Sequence, residues 1–260
     1  MLNDYIQIGE ALKNFTRRGK GDSRIEAISD GVFALAIAML LLSTSVPATF
    51  AELSRLFSDL LPFSICSVFI FWIWRSQVVF FQRYGLSEDR SVIRWTFALL
   101  MLVLFYVYAL KFLMNWLVAL KTGFFKSLLV DIPLRDTVGY LMQVVTFTDM
   151  PKLMLIYGMG FTGVFALFSI MYRYAWRHRE ALQLSAIEEI ETQHSYRQYL
   201  GMVSVGGISA LFALLGLLTH WPWFSFLSGI AYNLAIPFSF RLSRWRTNAI
   251  AAIEEKSKAH

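Results

Sequence analysis

Two ionisable side chains lie well inside apolar stretches of the sequence. Asp30 is about one and a half turns into the run 25–46, and Arg75 is about fifteen residues into the run 60–82. A charge near the centre of a bilayer costs at least ~2.5–3.5 kcal/mol, so each of these residues needs a partner or a function. Neighbouring antiparallel helices would place the two residues at similar depth.

We therefore predict that the Asp30 carboxylate is paired or hydrogen-bonded and clamps the first span to the second. A proton-sensing or catalytic carboxylate is the alternative interpretation. The candidate partners are Arg24, Arg75, Ser29, Ser76 and the indoles of Trp72 and Trp74.

A second stretch, Thr137-Val-Gly-Tyr140, matches four of the five residues of a carbonyl ion filter, Thr-Val-Gly-Tyr-Gly. Leu141 takes the place of the second glycine, where the filter backbone needs a positive φ. In six-span channels such a filter lies between spans five and six, and here only residues 220–223 join those spans. We interpret the stretch as part of an ordinary outer loop.

Residues for other chemistry are scattered. The sequence has no paired intramembrane aspartates and no His-Glu-x-x-His run, and its only cysteine, Cys66, lies inside an apolar run where packing is its expected role. The histidines fall on both sides of the predicted spans, at His178, His194, His220 and His260. We therefore expect neither an enzyme nor a cofactor or resident metal.

The composition indicates a membrane protein. Of the 260 residues, 57% are hydrophobic and only 16% are charged, which leaves too little polar surface for a soluble globule of this size. Apolar runs of about 20 residues, long enough for a helix to cross a bilayer, occur six times. They are 25–46, 60–82, 95–120, 152–174, 199–219 and 222–241. The sequence predicts an all-α, polytopic membrane protein with six transmembrane helices.

The net charge of +6 follows the membrane topology and does not indicate nucleic-acid binding. Only six of the 24 Lys and Arg residues fall on the outer side if the N-terminus is cytoplasmic, so the positive-inside rule places both termini in the cytoplasm. We divide the chain into a basic cytoplasmic or interfacial segment (1–24), a transmembrane domain (25–245) and a cytoplasmic tail (246–260).

Three connecting segments carry further expectations. Residues 1–23 should lie on the lipid headgroups, because they are basic and partly amphipathic. Residues 121–151 should form a long outer loop. Residues 178–197 should be a cytoplasmic helix that continues from the fourth span, with its charges on a solvated face.

The run from Arg24 to Leu42 resembles the first span of the transmembrane protein 175 family, including its prokaryotic members. The family signature is Arg, three residues, then Phe-Ser-Asp; Arg24, Ser29 and Asp30 match it, and Ile28 replaces the aromatic residue. The second span is also similar, although Arg75 stands where family members often have a histidine. Ala38 occupies a position where many prokaryotic members have a threonine.

The resemblance implies a potassium-permeable channel without a carbonyl filter, in a prokaryotic cell membrane. It implies a homotetramer in which the first helix of each subunit lines the pore, with potassium ions and bilayer lipids as partners. The polar network would hold Arg24, Ser29, Asp30, Trp72 and Arg75, and the constriction would hold Leu35, Ala38, Met39 and Leu42. Taken alone, the constriction residues are more typical of a helix-packing face, and only the resemblance favours the pore.

A secondary transporter remains the alternative function. Its support is a weak repeat, Gly-Val-Phe-Ala-Leu, at 31–35 and again at 163–167, together with the prolines Pro222 and Pro237. Inverted repeats of this kind are typical of transporters.

Overall fold

In a computed structural model, the structure of the chain is described for residues 15–19, 23–42, 48–50, 60–130, 145–146, 148–221 and 223–258. These residues are organised in seven α-helices. The helices are α1 (Arg24–Leu42), α2 (Leu60–Tyr84), α3 (Arg90–Val130), α4 (Met150–Arg177), α5 (Ala186–Thr219), α6 (Trp223–Ala231) and α7 (Ala235–Lys258). A single 3-10 turn, Tyr232–Leu234, joins α6 to α7, so that these two helices form one rod.

Helices α1 to α5 and the α6–α7 rod make six helical rods, which correspond to the six predicted spans. Four described helices are long and apolar enough to cross a membrane: α2, α3 from Arg90 to Val118, α4 and α5. The first rod has 19 described residues, and the last continues well beyond the predicted end of its span at residue 241. The prediction of an all-helical polytopic protein is confirmed. We call the end of the bundle at which α1 begins and α2 ends the inner end.

Two predicted boundaries were wrong. Helix α3 continues to Val130, because residues 121–130 include no proline to stop it. The helix predicted at 178–197 belongs to the fifth span and not to the fourth. Helix α4 ends at Arg177, and a new helix begins after Ser185, whose hydroxyl accepts a hydrogen bond from the backbone N–H of Glu188 while the Glu188 carboxylate accepts one from Ser185.

Aromatic side chains fill the core near the inner end. The ring of Phe80 on α2 packs 5.0 Å from Tyr84 and 5.2 Å from Tyr172 on α4, and Phe168 stacks 5.1 Å from Tyr199 on α5. Each such pair contributes ~0.5–1.5 kcal/mol beyond the burial of its surface. Helices α2, α4 and α5 therefore form a firm frame at the inner end, and α1 packs on α2 and α3 beside it.

Two adjacent glycines of α5 provide a test of this frame. A Cβ atom at Gly206 would lie 2.5 Å from Oγ1 of Thr162 and 2.9 Å from Cδ1 of Phe161 on α4, whereas a Cβ at Gly207 would meet nothing within 4 Å. We expect Gly206→Ala to destabilise the protein by about 1–3 kcal/mol through overpacking. Gly207→Ala should be neutral or stabilise by up to ~1 kcal/mol through helix propensity. Melting curves of both variants in one detergent would contradict the close α4–α5 contact if the two shifts were equal.

Candidate functional site

Helix α1 has one face buried against the rest of the chain. Ser29, Phe33, Ala36 and Leu40 are each no more than 3% exposed. Their spacing of four, three and four residues places them on a single helical face. This face packs on α2 and α3, which fixes the rotation of α1 about its own axis.

The opposite face of α1 is exposed in the part of the chain that the structure describes. We call Ile28, Gly31, Leu35 and Ala38 the open stripe, because all four are exposed and their spacing puts them on one face. Ile28 is 58% exposed and Leu35 is 50% exposed. Two predicted constriction residues, Leu35 and Ala38, thus lie on this face.

The other two predicted constriction residues are placed differently. Met39 is partly buried and packs against the core, because its position on the helix falls between Leu35 on the open stripe and Leu40 on the buried face. The side chain of Leu42 lies outside the described part of the chain, although its backbone ends α1.

Two hydrogen bonds join consecutive residues of α1 to α2. The indole N–H of Trp74 donates to Oδ1 of Asp30 at 2.6 Å, and the amide of Gln77 donates to the hydroxyl of Ser29 at 3.0 Å. Trp74 and Gln77 are three residues apart on α2 and therefore lie on the same face of that helix. The partner of Asp30 on α2 is therefore the indole of Trp74, one of the candidates that the sequence offered.

The remaining residues of the predicted network point elsewhere. Arg75 follows Trp74 by one residue, so its side chain is rotated by about 100° around α2 from the side that meets Asp30. Trp72 packs 5.4 Å from Phe165 of α4. Arg24 is exposed, and among the described residues neither Arg24 nor Arg75 forms an ion pair with Asp30.

A polar cavity of about 290 Å³ lies between α1 and α2 at the inner end. Its lining residues include Arg17, Glu26, Ser29, Asp30, Trp74 and Gln77. Gln77 is 1% exposed, and its Oε1 has no hydrogen-bond partner in the part of the chain that the structure describes. The Asp30 carboxylate therefore borders a cavity that several polar side chains line.

The outer end of α1 is held by a lysine from α3. The sequence places Lys111 about 17 residues into the predicted third span, close enough to the outer surface for its side chain to reach the lipid headgroups. In the structure, however, the residue is only 8% exposed and its Nζ donates to the carbonyl oxygen of Leu40 at 2.6 Å. A cation is favourable there because the last carbonyls of a helix carry partial negative charge. This role was not predicted from the sequence. It could have been inferred from the position of Lys111, which lies in the third span at about the same depth as the end of α1.

The chain ahead of α1 is also packed into the protein. We call Phe15–Gly19 the N-terminal strap. Phe15 is 8% exposed, lies 5.7 Å from the ring of Tyr84 and has the guanidinium of Arg83 4.6 Å above it. Phe15 thus occupies an aromatic pocket at the end of α2 and fixes the strap against that helix, while Thr16 and Arg17 are exposed. Residues 1–14 are outside the described part.

Two glutamates at the start of α5 are buried, although the sequence suggested a solvated face. Glu188 is 2% exposed and pairs with Arg18 of the N-terminal strap at 2.8 Å. Glu191 is 3% exposed and accepts a hydrogen bond at 2.8 Å from Nε of Arg246 on α7. Buried carboxylates need such partners, so both ends of the chain are tied to the same helix.

Two other sequence motifs can be placed only in part. The segment 137–140 that resembles a filter lies outside the described residues. Helix α5 ends at Thr219 and α6 begins at Trp223, so three residues join them, one fewer than the sequence indicated. Cys66 is fully buried on α2 and packs in the core, in agreement with the packing interpretation.

The comparisons with known proteins match this architecture. A family model described as the endosomal/lysosomal potassium channel TMEM175 matches residues 24–106, which include α1, α2 and the start of α3. A protein of Marivirga tractuosa named potassium channel is 36% identical over 235 residues, which are 89% of this chain and 90% of that protein.

A solved structure is similar over the whole fold. It is the crystal structure of a variant of the potassium channel MtTMEM175 in complex with a Nanobody-MBP fusion protein. Its sequence identity is 34% and its TM-score is 0.76, over 90% of this chain and 97% of that one. The polar signature of α1, the six helical rods and these matches lead to one conclusion: the chain is a multi-pass integral membrane protein that belongs to the TMEM175 family of potassium channels.

Proposed function

We propose that the protein is a potassium-permeable cation channel whose pore is lined by the open stripe of α1 from each subunit of a homotetramer. The observation that carries this proposal is the pair of unlike faces on α1. One face is buried on α2 and α3, and the other presents apolar and small residues that remain exposed among the described residues. The relatives named as potassium channels support the choice of ion.

The open stripe differs from the faces that suit lipid. Helix α3 exposes Phe97, Phe105 and Phe112, a row of large aromatic side chains with no charge among them. On α1 the Asp30 carboxylate is exposed on the side that meets α2, about 140° around the helix from Leu35, and the neighbouring cavity is lined by Arg17 and Glu26. A carboxylate is expensive beside lipid tails but acceptable beside water, so an aqueous path or a subunit interface suits this end of α1 better.

The proposed pore closes by dewetting. Leu35 from each subunit would project toward the axis and form an apolar ring, with Ala38, Met39 and Leu42 further along the same helix. An ion in such a ring loses hydration without gaining replacement oxygens, so the ring is a barrier even without charged groups. We propose that no carbonyl filter is used, because three residues between α5 and α6 leave no room for a pore helix and filter.

The proposal is tested by reconstituting the full chain in liposomes and bilayers. We expect potassium flux down a gradient, with slower sodium flux, and stepwise unitary currents in a planar bilayer. Unitary currents exceed the turnover of an alternating-access cycle, so they distinguish this proposal from a secondary transporter. Flux that saturates, is strictly coupled to a second ion and shows no unitary steps would contradict the channel and favour the transporter.

A further inference from the structure

Arg18 of the N-terminal strap donates hydrogen bonds to the segment before α5 and to the first turn of that helix. Its Nε donates to the carbonyl of Leu182 at 2.9 Å, and its Nη2 donates to that of Gln183 at 3.0 Å. Nη1 and Nη2 also donate to the two carboxylate oxygens of Glu188, at 2.8 and 2.9 Å. This bidentate (two-pronged) geometry is the strongest form of an arginine–carboxylate contact.

Glu188 is correspondingly well supplied with donors. Besides Arg18, its carboxylate accepts backbone N–H groups from Thr16 at 2.7 Å and from Ser185 at 2.8 Å. These bonds come from the strap on one side and from the cap of α5 on the other. Glu188 therefore joins the strap to the first turn of α5 in a site that is closed to solvent.

The strap is coupled to α1 by a short piece of chain. The backbone N–H groups of Arg18 and Gly19 both donate to the carbonyl of Gln82 on α2, at 3.1 and 3.2 Å. Four residues on, Ser23 accepts the hydrogen bond of Glu26 and precedes the first residue of α1. A four-residue step spans at most about 14 Å, so the start of α1 must stay within that distance of the strap while the strap is held.

We propose that Arg18 and Glu188 are positioning residues for the channel gate, which hold the inner end of α1 outward against its own subunit. The effect on the gate rests on the proposed function, whereas the effect on the position of α1 does not. An apolar ring at the pore axis favours the collapsed, dewetted state. The contact between Arg18 and Glu188, which we call the anchor, opposes the inward movement of α1 that would tighten this ring. Loss of the anchor should therefore stabilise the closed pore.

The chain contains a matched control for Glu188. Glu191 lies three residues further along α5, is equally buried and is bound by an arginine, but that arginine, Arg246, belongs to α7. Replacing Glu191 removes a similar buried ion pair but leaves in place the hydrogen bonds from Arg18 and Thr16 of the strap to Glu188. A general loss of stability would therefore affect both variants, whereas loss of the anchor would affect only Glu188→Gln.

The first measurement is hydrogen exchange of the full-length protein in lipid nanodiscs. Glu188→Gln should speed exchange of amides in residues 15–30 by about tenfold, with little change in α7, because local opening follows the loss of local contacts. Glu191→Gln should show the reverse pattern. If residues 15–30 exchange at the wild-type rate in Glu188→Gln, or equally fast in both variants, the positioning role is wrong.

The second measurement is the open probability in planar bilayers. We expect Glu188→Gln to lower it severalfold while unitary conductance and the potassium-to-sodium ratio stay at wild-type values, and Glu191→Gln to leave it unchanged. Faster exchange in residues 15–30 with an unchanged open probability would support the anchor and contradict the pore-lining role of α1. If Glu188→Gln does not fold, Arg18→Lys serves instead, because it keeps the charge but loses the two-pronged contact.

A covalent rescue separates the anchor from other effects of the substitutions. Cysteines at Arg18 and Glu188, in a Cys66→Ser background, remove the ion pair but can be joined by a short bifunctional thiol reagent. Linking them should restore the wild-type open probability and exchange rates. Failure of the linked protein to recover either property would overturn the proposal.

Discussion

Leu35→Asn should raise the unitary cation conductance severalfold and reduce the preference for potassium over sodium. In the proposed pore, Leu35 excludes water from the narrowest ring, and the energy barrier arises from an ion that sheds its hydration there. An amide at this position offers oxygen atoms and admits water, so it should lower the barrier for both ions. Single-channel recording is the measurement, because it is independent of expression level.

Helix packing predicts the opposite outcome for Leu35. If this side chain were buried in an ordinary helix interface, shortening or polarising it would destabilise the assembly by roughly 2–5 kcal/mol and lower the amount of protein without raising the current per channel. Leu211→Asn on α5 is the matched control, since Leu211 is 55% exposed and lies far along the chain from α1. A unitary conductance at or below wild type in Leu35→Asn would remove Leu35 from the constriction.

Asp30→Ala should lower the melting temperature and the yield of assembled channel more than it changes selectivity. The substitution removes the acceptor for the indole of Trp74 at 2.6 Å. A hydrogen bond to a charged group contributes about 1.5–3 kcal/mol, and the exposure of Asp30 in the single chain favours the lower end of this range. That corresponds to a shift of roughly 3–6 °C for a protein of this size.

Variants of the partner separate the hydrogen bond from the charge. Trp74→Phe keeps an aromatic ring but loses the N–H donor, so it should reproduce most of the loss seen in Asp30→Ala. Asp30→Asn keeps an acceptor oxygen and should be milder. Trp72→Phe is the control, because Trp72 packs on α4 and does not contact Asp30. Wild-type melting and size-exclusion profiles for both Asp30→Ala and Trp74→Phe would count against a structural clamp.

Much of the fold follows from local features of the sequence. Apolar runs of bilayer length predicted six helical rods, and an aspartate inside the first run predicted a polar contact with the second. The identity of that contact depended on rotation about α2. Trp74 and Arg75 are adjacent in sequence but point in directions about 100° apart, and only the packing of α2 against α4 and α5 decides which of the two faces Asp30.

The buried ion pairs could not be predicted in the same way. Arg18 and Glu188 are separated by 170 residues, and a cluster of glutamates at the start of a helix is typical of a solvated surface. Their burial depends on the break in helix before Ser185, which turns α5 back toward α2. The prediction for Lys111 was wrong for a similar reason. Its depth in the third span suggested contact with the headgroups, but the carbonyl of Leu40 near the end of α1 lies close enough to accept its hydrogen bond.

The most direct test of the pore-lining role is modification of single cysteines along α1 with a positively charged, water-soluble thiol reagent during current recording. The background is Cys66→Ser, which removes the single native thiol. Cysteines at positions 31, 35 and 38 on the open stripe should react and reduce the unitary current. Cysteines at positions 33, 36 and 40 on the buried face should leave it unchanged. Unchanged currents at all three open-stripe positions, with reaction confirmed by mass spectrometry, would contradict a pore lined by α1.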